Sequence, residues 1–414
     1  MATTSAMALP AVWRRYRRLL RDSYGAPVNM AGRIGMAIEP PPGREDQELA
    51  WLEKLGDVPV LLRCYHHQGE SGWLRTTALA GRLAAAGRDV GLAMVQDRGA
   101  VKSPASWRAF LESVLERAQD AVTSVEIGHA VNRVKWGVWT LAEQRQLLAP
   151  VADLRRRYPN LRFMGPAGID FEYPYTVAAL HAIPPHGRLH ACSHHLYVDR
   201  RGAPENPQGP FATLEKCALA RAIAGCAPGC EDRLILSEVN WPLAGAGVYS
   251  PVNSPYDTPG PRHHDPSVSE DDYAAYMIRY LLITLCSGMA DRVYWWRLVA
   301  RGFGLIDDTN PDAWRPRPAF PMLATFLATL GKATFHQRLE QHGAIWHRFQ
   351  EPHGREIWIG YAPSGPLDAT PPCAIAKAHD AYGNPLVPDR KTIPLAGAPT
   401  YVLPPNSTAS QTLS

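Results

Sequence analysis

Glu238 stands in the stretch LSEVNWP, where an apolar run gives way to Ser237, Glu238, Asn240 and Trp241. A carboxylate shown at the end of a buried strand is how an enzyme displays a nucleophile or an acid. Five other stretches end in the same manner. LLRCYHH brings Arg63, Tyr65, His66 and His67, and SVEIGHAVN brings His129 and Asn132. GIDFEY brings Asp170, Glu172 and Tyr173, SHHLY brings His194, His195 and Tyr197, and VYWWR brings Trp295, Trp296 and Arg297. Carboxylates supply the nucleophile and acid of glycosidic cleavage, and aromatic faces stack on pyranose rings. Arg63 could pair with Glu238 and hold it ionised. The two tryptophans of VYWWR face opposite ways if they share a strand; Trp295 and Trp241 are taken as the sugar platforms.

These residues fall at the ends of eight short apolar runs, each followed by a segment with helical spacing. The runs are RIGMAI from Arg33, VPVLLRC from Val58, DVGLAMV from Asp89, VTSVEIG from Val122, LRFMG from Leu161, LHACSHH from Leu189, RLILSE from Arg233 and RVYWW from Arg292. Strands without polar alternation suit a parallel sheet covered on both faces. Ser106 and Thr140 offer helix caps, and Gly56, Gly81 and Gly87 suit helix ends. Eight strand–helix units over this length predict an α/β fold, a (β/α)₈ TIM barrel, with active-site groups at the C-terminal ends of its strands. The rival, a doubly wound open sheet, would show a glycine-rich phosphate turn after its first strand, where this chain has EPPPGRED.

The expected organisation is a basic N-terminal extension over 1–32, the barrel over 33–333, a small all-β domain over 334–405 and a disordered tail over 406–414. A long Pro/Gly/Ser-rich loop from Pro242 to Glu270 follows the seventh strand and could wall the site.

Composition excludes more than it selects. Charged residues are 20% and net charge is +4, which calls for neither nucleic acid nor a membrane. The 12 Trp, 16 Tyr and 15 His suit either a ligand cleft or an aromatic core. Seven scattered cysteines read as reduced thiols, and the start carries arginines in place of a secretory apolar stretch, so a cytoplasmic address is expected. The segment from Val12 to Arg21, with Arg14, Arg15, Arg17 and Arg18, predicts a basic helix that either packs beside the barrel or touches an anionic membrane. Adjacent histidines (His66–His67, His194–His195, His263–His264) point apart on a strand, and no HExxH helix is present. Neither a metal nor another cofactor is expected.

The motifs together resemble the retaining glycoside hydrolases of clan A, in the branch that includes β-xylosidases and α-iduronidases. LSEVNWP resembles the strand-seven nucleophile motif and puts the nucleophile on Glu238. LLRCY resembles the segment with the site arginine, here Arg63, and SHHLY the strand-six segment, matching His195 and Tyr197. MGPAG, VYWWRL…GFGLID and the closing DAYGNPL…APTYVLPP resemble further parts of that branch. The resemblance implies a protein that takes a carbohydrate or glycoconjugate and acts on its glycosidic bond.

One position departs. The branch has Ile-Gly-Asn-Glu-Pro-Asn after strand four, its glutamate the acid/base, and this chain has Ile127-Gly128-His129-Ala130-Val131-Asn132. Alanine cannot move a proton, a service worth ~10²–10⁴-fold. His129 could act as the acid, or Glu172 or Asp170 could reach the place, while Glu126 lies too deep in the strand. Otherwise the leaving group needs no acid, as in glycosyl transfer from an activated donor, or the barrel is silent and only binds glycan. The subsite expected around Glu238 comprises Arg63, His66, His129, Asn132, His195, Tyr197, Asn240, Trp241 and Trp295, with Glu172 ahead of His129 as acid.

Overall fold

The computed structural model describes residues 1–183, 185–246, 267–387 and 391–405. Most of the Pro242–Glu270 loop, with His263 and His264, and the tail after 405 lie outside the described residues.

The eight apolar runs are parallel strands: Ile34–Ile38, Val60–Tyr65, Val90–Val95, Ser124–Ile127, Arg162–Met164, Cys192–His195, Leu234–Glu238 and Arg292–Trp295. Each pairs with its sequence neighbour, and the eighth lies between the seventh and the first. The first three are buried at every residue, as a sheet sheathed by helices requires. Strand five closes the ring in two pieces. Arg162–Met164 pairs with strand four, and Gly168–Ile169 with strand six. A bridge from Met164 to Ala191 joins strand six to the first piece as well. Between the pieces lies a cis Gly165–Pro166 bond. Gly165 has φ +136° and approaches the Ile127 carbonyl so closely that a Cβ there would sit 2.2 Å from its oxygen. The fold is a (β/α)₈ barrel with a β region after it.

Strand alternation sorts side chains between two apolar clusters. Ala37, Leu61, Ala93, Met164, Ala191, Tyr294 and Trp296 fill the inside of the ring. Residues of the other parity, such as Leu62, Leu92, Val125, Leu236 and Trp295, pack outward against the helices. The helix Leu141–Leu148 starts in the capping box formed by Thr140 and Glu143. The helix Pro104–Ala118 starts earlier than its sequence suggests. Ser103 is its cap because Pro104 can occupy a first turn, where no backbone donor is needed. Gly81 lies inside the helix Gly69–Ala85, while Gly56 and Gly87 follow helices at positive φ.

The N-terminal helix is longer than the arginine-rich stretch alone, running Ala2–Asp22. Its Ala8, Val12 and Tyr16 are buried where it packs on the helix Thr213–Cys226. Arg15 pairs with Asp232, and Arg14, Arg17, Arg18 and Arg21 remain exposed. No described helix is long and apolar enough to cross a membrane.

Beyond the barrel, Thr334–Gln341, Ala344–Gln350 and Glu356–Tyr361 form an antiparallel meander, extended by Thr400–Leu403, Lys377–His379 and Pro385–Leu386. The sheet is not made from C-terminal residues alone. Val28–Asn29, which precedes the first barrel strand, pairs with its Thr334–Phe335 edge and ties the two ends of the barrel to it.

Candidate functional site

Strand seven carries Glu238 to the barrel mouth. The ladder between strands six and seven shifts register at His194/His195, so His195 lies opposite Glu238 and both face inward. Arg63, inward on strand two, forms an ion pair with one Glu238 oxygen, and the Tyr197 hydroxyl donates to the other. His195 Nδ1 lies 3.8 Å from that first oxygen. Burial alone would raise the Glu238 carboxyl, but the permanent charge of Arg63 and the Tyr197 hydroxyl outweigh it and hold the group well below the usual carboxylate range. Arg63 is itself fixed by Trp296, whose ring lies 3.3 Å beneath the guanidinium. Arg201 covers the Tyr197 ring at 3.4 Å. The expected group of Glu238, Arg63, His195 and Tyr197 is therefore brought together. Asn240 follows on the same strand end, 5% exposed, its amide nitrogen without a protein partner.

After strand four the chain turns at Gly128, φ +89°, and carries His129 inward. The side chain of Gln96 clamps the His129 peptide on both edges, accepting from its N–H at 2.9 Å and donating to its carbonyl at 2.5 Å. The imidazole stands edge-on to Trp136 at 4.4 Å and lies 4.7 Å from the ring of His195. Burial, with Arg63 next, takes the proton affinity of His129 well below that of a free imidazole. Burial likewise brings His195 down to about 3. Both rings are neutral at physiological pH.

Ala130, where the resemblance puts an acid, has φ +41° and no exposed surface. Its methyl packs among Tyr65, Val95 and Trp136. Glu172 is engaged away from that place. Arg133 binds it at 2.5 Å and Asp170 at 2.7 Å, and Asn132 donates to Glu172 at 3.0 Å. Asn132 also exchanges hydrogen bonds with the Ile169 backbone, tying the strand-four loop to strand five.

Three expected ligand contacts are placed elsewhere. His66 is drawn toward the helices by Asp97 at 3.0 Å and Ser106 at 2.9 Å. Trp241 and Trp295 stack on each other at 5.7 Å, fully buried, with their N–H groups donated to Gly202 and Tyr273. They are core, because strand parity turns Trp295 outward and Trp296 inward. Sequence reasoning chose the wrong member of that pair and set Glu126 aside. Glu126 shares the inward parity of Ser124, and its carboxylate lies 3.9 Å from His129 Nδ1 and 4.0 Å from His195 Nε2. Its signal was a charged residue at an inward position of an otherwise apolar strand.

No family model and no curated protein matches this sequence. Solved structures do. A family 39 glycoside hydrolase from Bacteroides cellulosilyticus superposes with TM-score 0.66 at 13% identity, over 91% of this chain and 81% of that one. SrfJ from Salmonella typhimurium gives 0.59 at 11%, over 92% and 91%. The GH51 arabinofuranosidase from Xanthomonas axonopodis pv. citri gives 0.54 at 13%, over 91% and 96%. At such identities the likeness establishes the fold, a barrel with its β region of the kind these proteins have.

Proposed function

We propose that this protein acts on a glycosidic bond, with Glu238 as the nucleophile and without a proton donor at the usual strand-four position. One observation carries the reading: a carboxylate at the end of strand seven holds an arginine on one oxygen and a phenol on the other. That arrangement keeps a carboxylate charged and aimed while leaving an open lone pair, as attack on an anomeric carbon demands. The likeness in fold to a family 39 glycoside hydrolase supports it. A carbohydrate is then the ligand, and the favoured substrates are those whose leaving group departs as a stable anion: a sugar phosphate, a nucleotide sugar or an activated aryl glycoside. Water or a sugar hydroxyl would complete the reaction.

The burial of Ala130 and the capture of Glu172 by Arg133 favour a second reading, a barrel that binds glycan and cleaves nothing. A panel of pentosyl, hexosyl and uronosyl dinitrophenyl glycosides separates the two. On the first reading one glycoside turns over, its alkyl counterpart is slower by ~10²-fold or more, and Glu238→Gln abolishes turnover. Equal glycan binding by both proteins, with turnover by neither, would establish the second.

A further inference from the structure

Behind the Arg63–Glu238 pair lies a second cluster that the proposed chemistry does not use. Both oxygens of Glu126, Nδ1 of His129 and both ring nitrogens of His195 have no hydrogen-bond partner in the protein. The three residues are 1–2% exposed. Buried polar atoms are paired in the great majority of cases, and a buried carboxylate with no compensation is costly. Orphans this close together call for one shared partner.

Geometry says what the partner is. One donor atom from each residue lies within 4.8 Å of the other two. The Glu126 contacts, 3.9 and 4.0 Å, are too long for hydrogen bonds. Donors at ~2.0–2.1 Å from a tetrahedral ion stand roughly 3.4 Å apart, so each Glu126–histidine pair would close by about half an ångström to seat one. The arginine of the cluster is engaged by Glu238 and is not the missing partner. Two imidazoles and a carboxylate suit a first-row transition ion, whereas magnesium and calcium prefer oxygen alone. The donors are also held in place. Gln96 fixes the His129 backbone, Trp136 fixes its ring, and the strand-six ladder fixes His195. The remaining nitrogen of His195 lies 3.8 Å from Glu238, on the side away from Glu126.

We propose that Glu126, His129 and His195 bind one divalent ion of the zinc class inside the barrel mouth, with a coordination position left for water or a sugar hydroxyl. This replaces the expectation that the chain takes no metal, which rested on adjacent histidines pointing apart. The ligands come instead from two segments: Glu126 and His129 from strand four and the turn after it, and His195 from strand six. The site stands whether or not Glu238 is a nucleophile.

The test uses the full-length protein stripped with a chelator and titrated with Zn²⁺ by calorimetry. One equivalent should bind, and Glu126→Gln and His129→Asn should each weaken it by about 100-fold. His66→Ala, outside the cluster, should bind as the wild type does. Zinc should also raise the melting temperature of wild type and not that of His129→Asn. Should those variants fail to fold, Co²⁺ added to the wild type should give the visible ligand-field bands of a low-coordinate nitrogen–oxygen site. Equal binding by wild type and a folded His129→Asn, no binding by wild type, or cobalt bands of a purely hydrated ion would each overturn the proposal. None of these readouts depends on turnover.

Discussion

At the scale of single residues, Ala130 decides how the site differs from its resemblance. A left-handed backbone costs a non-glycine residue of order 1 kcal/mol, and Ala130 adopts one with its methyl sealed among Tyr65, Val95 and Trp136. The position is closed by packing. Restoring the acid by Ala130→Glu should therefore fail as a rescue. Its carboxyl would enter an apolar pocket without a partner and cost ~3–5 kcal/mol. Urea unfolding should show that loss, and turnover of alkyl glycosides should not rise. A stable Ala130→Glu that gained alkyl-glycoside activity would show instead that the pocket opens on the cleft.

At the scale of elements, the strands carry the argument, and their legibility was uneven. The eight apolar runs gave the barrel, because a strand buried on both faces cannot hide its composition. Glu238, Arg63, His195 and Tyr197 were found because polar groups at strand ends stand out from such runs. What escaped was parity. In VYWW and SVEIG the sequence says that neighbours face apart, but only the filled interior of the ring says which is inside. Trp296 and Glu126 lie inside, and Trp295 lies outside. The register shift at His194/His195 is likewise invisible in sequence, since it depends on the ladder between two strands. The break in strand five is the other element-scale device. Gly165→Ala would put a methyl into the Ile127 carbonyl at a φ that only glycine adopts easily. A loss of 3 kcal/mol or more (~3–5) is expected from the clash and strain together, read by urea unfolding. A loss under about 1 kcal/mol would mean that strands four and five can part there without cost.

At the scale of the whole molecule, one buried group outside the cluster of histidines links the barrel's stability to pH. Glu48, on the helix Glu45–Glu53, is fully buried. Burial, only partly offset by Arg297, pushes its carboxyl up to about 8 from an ordinary value of 4.5. The folded protein thus keeps a proton that the unfolded chain releases between those two values. The sign follows: Glu48 costs nothing below its unfolded pKa, and stability falls as pH rises toward the folded one, by about 1.4 kcal/mol per pH unit. Glu48→Gln keeps the shape and removes the charge. Its stability relative to wild type should therefore grow by roughly 3–4 kcal/mol between pH 5 and pH 8, with the two proteins nearly equal at the acid end. Urea unfolding of both at three pH values measures this directly. Parallel curves would mean that Glu48 is ionised in the fold and that Arg297, which also pairs with Glu39 at 2.8 Å, serves both carboxylates. The helix between the first two strands would then be held by charge rather than by burial.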